Sequence, residues 1–113
     1  MLDRIKKAVA EVEEFFTAHS EEYQLPAYDN GYRGHAFGVD TGAPWSDRTE
    51  VSIYVYDFEN QCKLVHFLTA QGATLTEYGW YGADPQANLE LKLEHCVISH
   101  VVNPRSWSAR TSS

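Results

Sequence analysis

Hydrophobic positions repeat with two different periods along the chain. Leu2, Ile5, Val9, Val12, Phe16, His19 and Tyr23 recur at alternating spacings of three and four, which sets them on one stripe of an amphipathic helix over residues 3–23. Asp3 suits the first turn, Glu11, Glu13, Glu14, Glu21 and Glu22 solvate the outer face, and Pro26 ends the helix by restricting Leu25. Residues 26–47 form a loop-rich segment (Asp29-Asn30-Gly31, Gly34, Gly38, Gly42, Pro44), in which only 35–40 has the character of a short strand. Beyond it the period becomes two. Strands are predicted at 50–58, 62–69, 74–81 and 89–102, an antiparallel meander over 50–102, with a tail at 103–113.

Alternation assigns faces. A two-residue loop at Glu59-Asn60 sets Val55 opposite Leu64, Ile53 opposite His66 and Val51 opposite Leu68. The aliphatic face (Val51, Ile53, Val55, Leu64, Leu68, Leu75 and Leu89, Leu91, Leu93 beyond them) is expected beneath the helix. Tyr54, Tyr56, Phe67, Tyr78, Trp80, Ile98 and Val102 fall on the other side. One helix covers one face, and a bare aromatic face exceeds the few hundred Å² that soluble monomers expose, so it is expected to meet a second subunit, a partner protein, a ligand, or the curled ends of its own sheet with the 26–47 loop folded over it.

The resulting expectation is an α+β domain: an N-terminal amphipathic helix on a curved four- to five-stranded antiparallel sheet. In architecture this resembles the cystatin-like and nuclear-transport-factor-like cone folds, which host both binders and small enzymes. The function expected first is non-catalytic binding. A homodimer, a protein partner or a small apolar ligand would meet Tyr54, Tyr56, Phe67, Tyr78 and Trp80, because aromatic rings dominate interface energetics.

Length and charge narrow the alternatives. The 113 residues suit one domain, and no apolar run approaches the roughly 18 residues of a bilayer span. The first residues lack the apolar block of a secretory signal, which points to a cytoplasmic protein. Sixteen acidic against nine basic residues, net charge -7, repel phosphate backbones and exclude nucleic acid as an expected partner. An acidic immunity- or inhibitor-type protein facing a basic target remains an alternative. Cys62 and Cys96 lack CxxC spacing and are expected reduced.

The competing chemistry is acid/base. His19, His66, His95 and Glu77 all fall on the aliphatic side, so an enzyme or ligand-binding cone with His66, Glu77 and His95 lining a helix-to-sheet cavity is the second reading. No HExxH-type spacing accompanies them, and no metal or cofactor is expected. Phe37-Gly38-Val39-Asp40-Thr41-Gly42-Ala43 resembles the Asp-Thr-Gly signature of retroviral-type aspartic proteases, whose dimers bring two carboxylates together. The later apolar-apolar-Gly segment of that family is absent, and Asp40-Thr41-Gly42 reads as a turn. With Gly34-His35 before it, the stretch also looks like the last strands of metal-dependent protein phosphatases, whose metal-binding motifs are missing. No Gly-x-Ser-x-Gly elbow or phosphate-cradling glycine loop is present.

Overall fold

In the computed structural model of the chain, the residues described are 2–28, 35–40, 48–81 and 84–104. Helix α1 (Leu2–Tyr23) is followed by strands β1 (His35–Asp40) and β2 (Glu50–Val55), helix α2 (Phe58–Ala70), and strands β3 (Thr74–Tyr81), β4 (Asp84–Lys92) and β5 (Val97–Val102). The fold is α+β. Strands β2 to β5 form a mixed sheet in the order β2-β5-β4-β3, and β1 extends it beyond β2. All pairings are antiparallel except that of β2 with β5, which is parallel.

Two expectations are corrected. Segment 62–69 is the body of a second helix, and the sheet is an open mixed one, neither a meander nor a strongly curled cone. The local reason is Asp57. Its Oδ1 accepts the Asn60 N–H (2.8 Å) and its Oδ2 accepts the Asn60 side-chain amide (2.7 Å), so Glu59-Asn60, expected as a hairpin loop, belongs to the first turn of a helix capped by Asp57. Buried Gln61, Leu64, Phe67 and Leu68 then fall on one helical stripe. Cys62, Leu64, His66 and Leu68 also recur at every second position, which is why the segment reads as a strand by periodicity alone. Segment 89–102 is likewise divided, since the chain turns at 93–96 and Leu93 N–H donates to Cys96 O (2.8 Å).

Both helices end in the same hydrogen-bond motif with different residues at the left-handed position. After α2, Gly72 (φ +103°) donates to Thr69 O and Ala73 to Leu68 O. After α1, Gln24 (φ +52°) donates to Glu21 O and Leu25 to Ser20 O. Glutamine pays a steric penalty there that glycine escapes. Gln24→Gly is therefore expected to raise stability by about 0.5–1 kcal/mol, read as a rise of several degrees in Tm. An unchanged or lowered Tm would show that the side chain compensates for its backbone.

The core lies on one face of the sheet. Val51, Ile53 and Val55 of β2, Ile98 and Val101 of β5, and Ala87, Leu89 and Leu91 of β4 are buried with Ala8, Val12 and Phe16 of α1 and Leu64, Phe67 and Leu68 of α2. The aliphatic face expected from alternation is thus the core face, with Leu64 and Leu68 supplied by a helix. Leu75 lies on the same face but beyond the helices' cover, 44% exposed on the edge strand. A polar row crosses the outer face, where Ser52 pairs in register with His100, His100 with Asn88, and Asn88 with Glu77, while Tyr54 and Val102 pair beside it on the same face.

Candidate interaction surface

Strand β3 borders the sheet on the side away from β1. Its register sorts its residues. Leu75 is opposite Leu89, Tyr78 opposite Ala87 and Trp80 opposite Pro85, and these three partners are buried on the core face. Thr74, Glu77 and Gly79 are opposite Glu90, Asn88 and Gln86 on the outer face, with Thr76 as the extra residue of a bulge that resets the alternation. Leu75, Tyr78 and Trp80 thus share the helix-bearing side, yet they lie beyond the helices' cover, at 44%, 46% and 63% exposure. Phe58, the first residue of α2, is 58% exposed one turn before Gln61.

Gln61 ties this strip to the core. It is fully buried, and its Nε2 donates to Pro85 O (3.0 Å) and Val101 O (3.2 Å). Its Oε1 accepts the Tyr78 hydroxyl at 3.4 Å. One amide thereby links α2 to β4 and β5 and orients Tyr78 at the edge. Partial burial, and then the neighbouring Cys62, push the Tyr78 phenol pKa upward.

The five aromatic residues expected on one sheet face are dispersed. Tyr54 is half-buried on the outer face, and Tyr56 is half-buried in the bend between β2 and α2. Phe67 is fully buried, with ring centroids 5.3 Å from Phe15, 5.4 Å from Phe16 and 5.0 Å from Tyr23. It offers no contact surface, because its face of α2 is turned onto α1. Ile98 is also in the core. Tyr78 and Trp80 remain exposed, on the opposite face of the sheet from Tyr54.

The histidines and Glu77 do not converge either. His19 lies 5.3 Å from Phe67 and 5.4 Å from Phe15 within the aromatic cluster. His66 is exposed on α2, its ring 6.5 Å from Tyr23. Glu77 is exposed on the outer face, where it accepts the Asn88 side-chain amide at 3.3 Å. His95 is exposed in the β4–β5 turn. The helix-to-sheet space holds packed apolar side chains, and His66, Glu77 and His95 line no common cavity among the described residues. Of the protease-like stretch, Asp40 ends β1 opposite Glu50, whereas Thr41-Gly42-Ala43 lies outside the described residues.

Glu11 explains the placement of His95. Its carboxylate accepts the backbone N–H groups of Glu94 (2.9 Å) and His95 (2.8 Å) and the Cys96 thiol (3.4 Å). Glu11, Glu94 and His95 consequently bring ligand atoms within 4.8 Å of one another. Both Glu11 oxygens are engaged in clamping the turn onto α1, a structural role. Burial, with the Glu11 hydrogen bond and charge added, pushes the Cys96 thiol up to about 12, so it stays protonated. Cys62 is exposed on α2, and both cysteines are free.

A groove of about 290 Å³ between α1 and the segment after it is lined by Phe16, Leu25, Pro26 and Tyr28 among others, and none of the expected site residues reaches it. Among the described residues no helix is long and apolar enough to cross a membrane. No protein-family model, curated protein or solved structure matches the chain.

Proposed function

We propose that the protein is a non-catalytic interaction module whose contact surface is the apolar strip along β3, with Trp80, Tyr78 and Leu75 at its centre and Phe58 beside it. The exposure of Trp80, a large ring on an edge strand that could have been polar there, carries the reading. Edge strands are commonly blunted by lysine, proline or inward-pointing charge. β3 has none of these, and Glu77, its one charged residue, is on the outer face. An amphipathic tryptophan with most of its surface in water is the type of side chain that anchors interfaces. Acid/base catalysis finds no comparable support, because His66, Glu77 and His95 occupy three separate surfaces.

A stability measurement tests whether the strip serves the fold or something outside it. Trp80→Lys, studied at submicromolar concentration by denaturant unfolding, is expected to stay within about 0.5 kcal/mol of the parent chain, as surface substitutions do. A loss of about 2 kcal/mol or more would mean that the ring belongs to the protomer's own packing, and the reading would fall.

A further inference from the structure

We infer that the occupant of this strip is a second copy of the chain, joined by antiparallel pairing of β3 with β3 about a two-fold axis at Gly79; the inference rests on the interaction reading above. Gly79 is the first observation. It lies inside a strand, where glycine costs about 0.5–1 kcal/mol relative to alanine. Among the described residues nothing asks for it: a side-chain carbon built there meets no atom within 4 Å, its φ is not in the left-handed region, and the bulge lies at Thr76. A glycine within a strand often marks a place where another backbone comes close.

The ladder fixes what that backbone would find. Pro85 has no N–H, and its carbonyl is turned toward β5, where it accepts the Asn103 N–H at 2.9 Å. The Trp80–Pro85 pair is therefore one without ladder bonds. By alternation the main-chain N–H and C=O groups of Tyr78 and Trp80 point away from β4, toward the side on which the sheet ends. With the axis at Gly79, Tyr78 pairs with Trp80 of the partner subunit across main-chain bonds, and the reverse pair follows by symmetry. The two Gly79 residues form the intervening pair without bonds, the closest in an antiparallel ladder at about 4.5 Å between Cα atoms. Both Tyr–Trp pairs lie on the helix-bearing face, where cross-strand aromatic pairs contribute favourably.

Charge and area both fit a self-contact. Residues 60–81 contain Lys63 and Glu77 as their only Lys, Arg, Asp or Glu, so none of the chain's net charge of -7 lies in that stretch. Two copies meeting along β3 bring no net charge of that stretch together, and Asp57 and Glu59 beside Phe58, with Asp84 opposite Tyr81, stay at the rim. The exposed parts of Trp80, Tyr78, Phe58 and Leu75 amount to roughly 400 Å² per copy, given that an aromatic side chain can bury about 150–250 Å². A standard interface buries about 800 Å² per partner, a little over half of it apolar, so the strip supplies the apolar share and the strand backbones and rim the rest.

Sedimentation across the micromolar range is the test. The parent chain is expected to move from its 12.8 kDa monomer to twice that mass, and Trp80→Lys to weaken the association about 30-fold or more. Gly79→Cys in a Cys62→Ser background is expected to form a 79–79 disulfide under mild oxidation, because the axial spacing falls within the roughly 4.4–6.8 Å that disulfides span. A parent chain that stays monomeric at about 100 µM overturns the second copy; if Trp80→Lys is still neutral for stability, the strip survives as a surface for another protein. A dimer that persists in Trp80→Lys, or one without the 79–79 crosslink, overturns the β3 pairing. Loss of folding in Trp80→Lys overturns both this inference and the reading beneath it.

Discussion

Phe67→Ala is expected to lower stability by about 3–5 kcal/mol, the usual cost of emptying a buried phenylalanine site. The ring is fully buried between the two helices, and the centroids of Phe15, Phe16, His19 and Tyr23 all lie within 5.0–5.4 Å of its own. Those four neighbours are held on α1, whose backbone cannot move inward without leaving the sheet, so collapse into the void is incomplete. A domain of this size has about 5–15 kcal/mol in total, and the variant would lose a large part of it. Urea unfolding should show the midpoint falling by about 1–3 M with the slope preserved. Phe67→Leu, which keeps most of the volume, should cost far less. A loss under about 1.5 kcal/mol for Phe67→Ala would contradict the packing of α2 onto α1, and with it the assignment of Phe67 to the core.

The second large effect is expected at Gln61, and it depends on pH. Both contacts of Nε2 are carbonyl oxygens, Pro85 at 3.0 Å and Val101 at 3.2 Å, so the site accepts a donor and repels an anion. In Gln61→Glu the protonated carboxyl can still donate to one of them, while the carboxylate would be buried facing both. The folded-state pKa must then lie above the unfolded value of about 4.3. A raised folded pKa gives stability that is fully present below the unfolded pKa and is lost as pH rises toward the folded one. If the folded pKa exceeds 7, roughly 3–4 kcal/mol disappears between pH 4 and pH 7 at about 1.4 kcal/mol per unit. Gln61→Met, similar in volume and without charge, should cost about 1–3 kcal/mol for the lost hydrogen bonds and show no such slope. Denaturant midpoints at pH 4 and pH 7 separate the two. A flat profile for Gln61→Glu would mean that water reaches the site.

How much of this was legible depended on whether the signal was local. The α1 stripe could be read because each of its apolar positions is three or four residues from the next, and the core face of β2 and β4 because buried and half-buried residues alternate strictly along them. Segment 58–70 carried two periods at once. Gln61 is the one polar member of its helical stripe, and its polarity hid the stripe while Leu64, His66 and Leu68 suggested a strand. The decisive local clue was the Asp57-x-x-Asn60 cap, with Gly72 as the matching stop. Misreading one helix as a strand then misplaced the aromatic residues: Phe67 moved to the core, and Tyr78 and Trp80 came to the helix side of the sheet.

The chain by itself determined the α+β composition, the amphipathic helix, the apolar residues that meet beneath it and the acidic surface, since these follow from side-chain period and charge along a single segment. Only the tertiary structure decided that a second helix helps cover the core face, that a polar row crosses the other face, and that β5 lies parallel to β2 so that β3 borders the sheet. Whether Leu75, Tyr78 and Trp80 are covered depends on which strand ends the sheet. That is a matter of pairings between residues far apart in sequence, and no local pattern encodes it.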